Sequence, residues 1–266
     1  MSRVPGILRW LEQLTGLRST VLLALGGGVV LAAVATTGYW TYVAQMDGAL
    51  LRSDPEQLAS NASLMRYSMP RGASTFRADC AQCHGLSGTG DSGMGVPNLT
   101  DNDWLFGSGR VSDIRQTVMY GIRSHDPRGH DLADMPAYAQ AVPYTREKLP
   151  PLTPDDIDDV ISFLYVAEGK SSEAASAQRG ALIFRGRGGC WDCHGNDAHG
   201  DNAVGSPNLT DNIWLYGHGK QQEIFSSIAY GHKGVCPAWG NRLSPARILE
   251  VSLYVFALAH NGVAID

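Results

Sequence analysis

Two five-residue segments, Cys80-Ala81-Gln82-Cys83-His84 and Cys190-Trp191-Asp192-Cys193-His194, stand 110 positions apart in a chain of 266 residues. Each has the C-x-x-C-H order in which two thiols form thioethers with the vinyl groups of a haem and the next histidine ligates its iron. The residues predict two covalently attached haem c groups, held by Cys80, Cys83, Cys190 and Cys193, with His84 and His194 as proximal iron ligands. Haem iron exchanges one electron at a time, so the chemistry such groups serve is single-electron transfer. A zinc ribbon also spaces cysteines in this way, but it leaves the histidine after both pairs unexplained. A disulfide framework is not required by a chain of this length with 44% hydrophobic residues.

Iron with one histidine has a sixth position to fill or to leave open. In the first half Met135, in Asp134-Met135-Pro136-Ala137-Tyr138, follows a predicted helix on a loop that reaches the distal face, and a thioether there raises the reduction potential. Met119 is the rival, but it sits within a helical pattern where methionine fills core gaps. Met94, His125 and His130 read as exposed loop residues. In the second half the matching segment is Val235-Cys236-Pro237-Ala238-Trp239, so a cysteine holds the methionine slot. Three readings stay open: Cys236 as a thiolate that lowers the potential, His232 four residues earlier, or an iron with one open side. His199, His218 and His260 read as surface groups.

The surroundings of the motifs repeat as well. Shifted by 110, Pro97-Asn98-Leu99-Thr100-Asp101-Asn102 becomes Pro207-Asn208-Leu209-Thr210-Asp211-Asn212, Trp104-Leu105 becomes Trp214-Leu215, and Tyr120-Gly121 becomes Tyr230-Gly231. Such agreement implies two units of one fold. Helices are predicted over Pro70 to Ala81, Ser112 to Ile122 and Thr153 to Glu168, then over Ala174 to Gly188, Lys220 to Tyr230 and Ser244 to His260. Thr153 followed by Pro154 and Asp156 is a strong start signal, as is Ser244 before Pro245. Ile157, Val160, Ile161, Leu164 and Tyr165 recur at helical spacing and predict a buried stripe. No strand of any length is expected, so the fold class is all-α.

The first 46 residues differ from the rest. No charge occurs from Thr20 to Gln45, and Val21 to Ala44 is long enough for one transmembrane helix, which needs about 20 apolar residues. Tyr39, Trp40 and Tyr42 suit an interfacial aromatic belt. Arg3, Arg9 and Arg18 against Glu12 make the amino-terminal side positive and hence cytoplasmic. Ala33-Val34-Ala35 offers a signal-peptide cleavage site as the competing reading, and Ile7 to Leu17 suits an amphipathic helix on the inner membrane face. The organisation expected is 1–46 as cytoplasmic terminus and anchor, 47–170 as the first cytochrome c domain with its leading linker, and 171–266 as the second. Both haem domains then lie in the periplasm of a bacterial inner membrane.

The formal charge is −5, and setting aside Arg3, Arg9, Arg18 and Glu12 leaves −7 on the remainder. Such a surface suits a basic protein partner, with solubility as the plainer reading, and it disfavours nucleic acid.

The two C-x-x-C-H motifs, each followed by P-N-L-T-D-N-x-W-L-[FY]-G, together with Tyr120-Gly121-Ile122-Arg123-Ser124 and Met135-Pro136-Ala137, resemble the dihaem subunit III (CcoP or FixP) of cbb3-type cytochrome c oxidase over roughly residues 71–259. The resemblance implies two class I-like cytochrome c domains behind one membrane helix. It implies electrons accepted from a periplasmic donor cytochrome c and passed towards a monohaem cytochrome c subunit and a haem–copper catalytic subunit. It makes the chain an electron-transfer subunit rather than a catalyst by itself. Cys236 departs from it, since methionine is usual there. A cysteine on a c-type haem is also a feature of sulfur-oxidising dihaem enzymes, so a thiosulfate-type dehydrogenase, with His232, Lys233 and Arg242 near the ligand, is one alternative. A stand-alone membrane-anchored carrier is the other.

Overall fold

The computed structural model describes the backbone of residues 6–141 and 149–261, and within those ranges the side chains from 28 to 260. The chain divides into two compact units between Arg52 and Ser53. The first is α1, Gly6–Arg52, an unbroken helix of 47 residues. Among the described residues no helix is long and apolar enough to cross a membrane. Side chains 21–27 of the expected span, and the whole Ile7–Leu17 face, lie outside the described residues.

The second unit is helical, with only isolated β-bridges among the described residues. Its helices are α2 (Pro55–Leu58), α3 (Ala62–Thr75), α4 (Ala81–His84), α5 (Val111–Tyr120), α6 (Pro154–Ala167), α7 (Ala174–Arg185), α8 (Trp191–His194), α9 (Gln221–Tyr230) and α10 (Pro245–Asn261). Start signals act where the sequence places them. Thr153 Oγ1 accepts from the Asp156 amide at 3.2 Å while the Asp156 carboxylate accepts from the Thr153 amide at 2.9 Å, a closed capping box before α6. The helix before the first motif begins eight residues earlier than Pro70 suggested. Asn61 caps it by accepting from the amides of Ser63 and Leu64, and Pro70 sits inside it. A π turn, Phe76–Cys80, then leads into the short helix α4 that carries the rest of the motif. Such turns inside α-helices recur at functional sites.

The packing crosses the two sequence halves. α3, which leads to the first motif, packs on α10 from the end of the chain, and α7, which leads to the second motif, packs on α6 from the first half. The two crossings are built alike. At Gly72 a Cβ would lie 2.3 Å from the Glu250 carbonyl oxygen, and at Gly180 one would lie 1.9 Å from that of Asp159. Only glycine allows backbones to approach so closely. The preceding residue pairs across each crossing: Arg71 with the fully buried Glu250, and Arg179 with Asp159 through two hydrogen bonds of 2.7 Å.

Two hydrophobic cores are seen among the described residues at these crossings. One joins Phe76 and Ile114 to Val251, Tyr254, Val255 and Leu258, with Cys80, Leu99 and Trp104 packed against it. The other joins Ile157, Val160, Ile161 and Leu164 to Phe184, Ile224 and Ile228, with Cys190, Leu209 and Trp214 against it. The predicted stripe of α6 is therefore buried, but against the second motif's helices.

Candidate haem sites

Each proximal histidine is held in one orientation by the P-N-L segment that follows its motif. His84 Nδ1–H donates to the Pro97 carbonyl oxygen at 3.3 Å, and His194 Nδ1–H donates to that of Pro207 at 3.0 Å. A carbonyl can only accept, so both rings carry their proton on Nδ1 and keep the Nε2 lone pair for a metal. Burial lowers both imidazole pKa values, against the smaller raising effect of the proline carbonyls. Burial thus favours the neutral ring that ligation requires.

None of the five cysteines is in a disulfide. Burial first, then the neighbouring Cys236, Asp79 and Cys83, pushes the Cys80 thiol up to about 12. Burial likewise pushes Cys190 to about 12.

One apolar cavity is continuous between the two motifs. It is lined by Leu99, Trp104 and Ile114 on one side and by Leu209, Trp214 and Ile224 on the other. The buried indole N–H of Trp214 finds no protein acceptor. A buried donor without a protein acceptor suits an acceptor from a bound group, such as a haem propionate. The cavity, the histidine tautomers and the paired thiols fit a haem at each motif.

The loops after the motifs bring the two sites edge to edge. Asn202 Nδ2 donates to the carbonyls of Trp104 and Gly107 at 2.6 and 2.7 Å, and the Gly217 amide donates to Ser92 at 2.9 Å.

The distal residues are placed differently from their order in sequence. Sequence order assigned Met135 to the first motif and Cys236 to the second. Met135 instead packs on the core that holds Cys190, and Tyr138, three residues on, hydrogen-bonds the Cys190 thiol. Cys236 lines the same cavity as Cys80 and Cys83, near enough for charge on one thiol to affect the others, and burial, with a smaller effect of Cys83, pushes its thiol up to about 11. The backbone explains the exchange. Met135 and His232 trade amide–carbonyl hydrogen bonds of 3.0 Å each, and Tyr138 N–H donates to Ile228 at the end of α9. Ile122 and Cys236 trade a second pair of 2.9 and 3.0 Å, and Trp239 N–H donates to Val118 in α5. Each distal segment is therefore laid along the other half's helix.

His232, the alternative to Cys236, is engaged elsewhere. Its Nε2 is 2.9 Å from Ser227 Oγ, and its ring stacks on Tyr216 with centroids 3.4 Å apart. His130 is its counterpart, 3.2 Å from Thr117 Oγ1 and stacked on Phe106 at 4.2 Å. This pair of histidine–aromatic–hydroxyl clusters was missed as a set, although Thr117/Ser227 and Phe106/Tyr216 both obey the 110-residue shift. His130 is partly buried rather than exposed. The basic residues near Cys236 are also occupied: Lys233 pairs with Asp134 at 3.3 Å and Arg242 lies over the Trp239 ring at 3.9 Å. They do not converge on an anion site.

Comparison with known proteins finds relatives for both sequence halves. The family "Cytochrome c" matches residues 70–166, and "Cytochrome C oxidase, cbb3-type, subunit III" matches residues 175–255. A cbb3-type cytochrome c oxidase subunit CcoP from Cereibacter sphaeroides is 36% identical over 209 residues, covering 79% of this chain and 67% of the relative. A FixP subunit from Azorhizobium caulinodans is 38% identical over 204 residues, covering 76% and 64%. A FixP subunit from Rhizobium etli is 31% identical over 260 residues, covering 90% and 85%. The chain spans about two thirds of the length of the first two.

Proposed function

Because the chain belongs to the CcoP/FixP family, subunit III of cbb3-type cytochrome c oxidase, we propose that it is a dihaem c-type electron-transfer subunit serving a haem–copper oxygen reductase. Haem supplies a one-electron couple, and the protein's part is to hold, orient and insulate it. Cys80 and Cys83, and Cys190 and Cys193, would anchor the two groups, with His84 and His194 on the irons. The observation that carries this reading is the duplicated proximal arrangement, in which each motif histidine is fixed through Nδ1 by a proline carbonyl with Nε2 left for iron. The continuous cavity supports passage of an electron between the sites inside one chain.

The repeats at 47–170 and 171–266 would be its two cytochrome c sequence domains. The charge-free run Val21–Ala44 within α1 would anchor them in a bacterial inner membrane, with both in the periplasm. Val29, Val30, Leu31 and Val34, all well exposed, support lipid contact, and Tyr39, Trp40 and Tyr42 support an interfacial belt. Electrons would arrive from a donor cytochrome c, drawn by the negative charge of the haem-bearing region, and leave towards a monohaem subunit and the haem–copper catalytic subunit.

The test is extraction of native membranes in mild detergent and isolation through a tag on this chain. Copper, b-type haem and oxygen consumption with a reduced cytochrome donor should all co-isolate. Recovery of c-type haem alone, from a complex shown to survive that detergent, contradicts oxidase membership.

A further inference from the structure

We propose that the two halves of the chain exchange distal ligands, so that Met135 completes the iron site of His194 and Cys236 completes that of His84. The inference rests on the dihaem reading above and concerns only which side chain serves which iron.

Four linked features place the residues this way. Met135 packs on the core that contains Cys190. Tyr138, on the same short segment, hydrogen-bonds the Cys190 thiol. Cys236 is close enough to Cys80 and Cys83 to interact with both thiols. The helix that follows Cys236, α10, packs on α3 and α5, while the helix that follows Met135, α6, packs on α7 and α9. Crossing of helices and crossing of ligand loops are thus one event.

Arg123 holds the crossover as a positioning residue. Its guanidinium donates to the Ala133 carbonyl, two residues before Met135, and to the Gly234 carbonyl, two residues before Cys236, at 2.8 Å. One side chain therefore fixes both distal segments. A thioether raises an iron's potential relative to a thiolate, which donates charge to it. The lower-potential site is then the one at Cys80 and Cys83, the reverse of the order implied by sequence position. If Cys236 binds as thiolate, its proton leaves to solvent on ligation.

The chain has seven methionines, and only one bound to reduced low-spin iron would have its methyl group over a porphyrin face and shifted far upfield. The experiment labels the methionine methyls of the full-length holoprotein with carbon-13 and records through-space contacts from the upfield methyl to haem protons. Each haem is identified through its thioether bridges to assigned cysteines. The expected result is a single upfield methyl in contact with the haem bridged to Cys190 and Cys193, and a second one, on the haem bridged to Cys80 and Cys83, in Cys236→Met. Contact of the native methyl with the Cys80/Cys83 haem overturns the inference, as does the absence of any upfield methyl. The native protein decides the first point even if Cys236→Met fails to fold. Fewer than two covalent haems per chain overturns the dihaem reading itself, whereas two haems with uncrossed contacts overturns the exchange alone.

Discussion

The two candidate haem sites share a proximal half and differ most in the residue proposed to stand opposite it. His84 and His194 sit at the ends of equivalent short helices, each oriented by a proline carbonyl. The proposed distal residues are a cysteine in one case and a methionine in the other, on loops of unequal length from Gly121 to Met135 and from Gly231 to Cys236. The conserved geometry fixes how a haem is held, and the divergent side sets what potential it has. A duplicated unit can thus become a two-step relay without altering its attachment chemistry.

The supports of the two sites are alike in plan and differ in exposure, which allows the comparison to be broken deliberately. The largest effect is expected at the helix crossings. Gly72→Val and Gly180→Val each drive a side chain into a backbone carbonyl and should cost about 3 kcal/mol or more. Thermal unfolding followed by haem absorbance should show each variant loosening the haem whose helix it lies on first. Equal melting of wild type and both variants would contradict the crossed packing.

Next come the ion pairs beside those glycines. Glu250 is fully buried and Asp159 is nearly so, but Arg71 is 21% exposed and Arg179 is 58% exposed. Arg71→Ala removes the shorter of the ion pairs to a buried carboxylate that Arg247 approaches at 3.6 Å, a loss on the order of 3 kcal/mol. Arg179→Ala faces solvent and should cost clearly less. Denaturant titration of the two variants should rank them in that order.

Arg123 joins the two sites rather than distinguishing them. Replacing it by Gln removes charge-assisted hydrogen bonds to both distal segments and should cost about 2 kcal/mol. The optical spectra of both haems should change together. A change confined to one would show that the crossover is not held as a unit.

The smallest effect is acid sensitivity at the α6–α7 crossing. The hydrogen bond from Arg179 foremost, against desolvation, holds the Asp159 carboxyl below its ordinary pKa. Its stabilisation is complete above the ordinary carboxylate value of about 3.9 and is lost as pH falls through the lowered one. Melting temperature of the wild type should therefore drop more steeply with acidification than that of Asp159→Asn, and parallel profiles would contradict the linkage.

Much of this was legible in the residues. C-x-x-C-H fixes the attachment chemistry wherever it occurs, and Thr153-Pro154 and Ser244-Pro245 start their helices as their cap chemistry dictates. The early start of α3 was hidden because Pro70 reads as a first-turn residue, whereas Asn61 is the cap. The exchange of halves was hidden for a deeper reason. Two similar repeats present similar faces, so periodicity shows that α6 is buried without showing on what. One signal did point to it: only Glu168 to Glu173 separate α6 from α7, and helices joined by so short a link pack as neighbours. The proposed exchange of Met135 and Cys236 rests on the same crossing of helices.

The most direct test of a relay with two unlike haems is a potentiometric titration of the purified holoprotein beside its Cys236→Met variant. Two one-electron waves are expected, with the lower one raised by the substitution and the upper one unmoved. Coincident waves that both ignore the substitution would contradict the account.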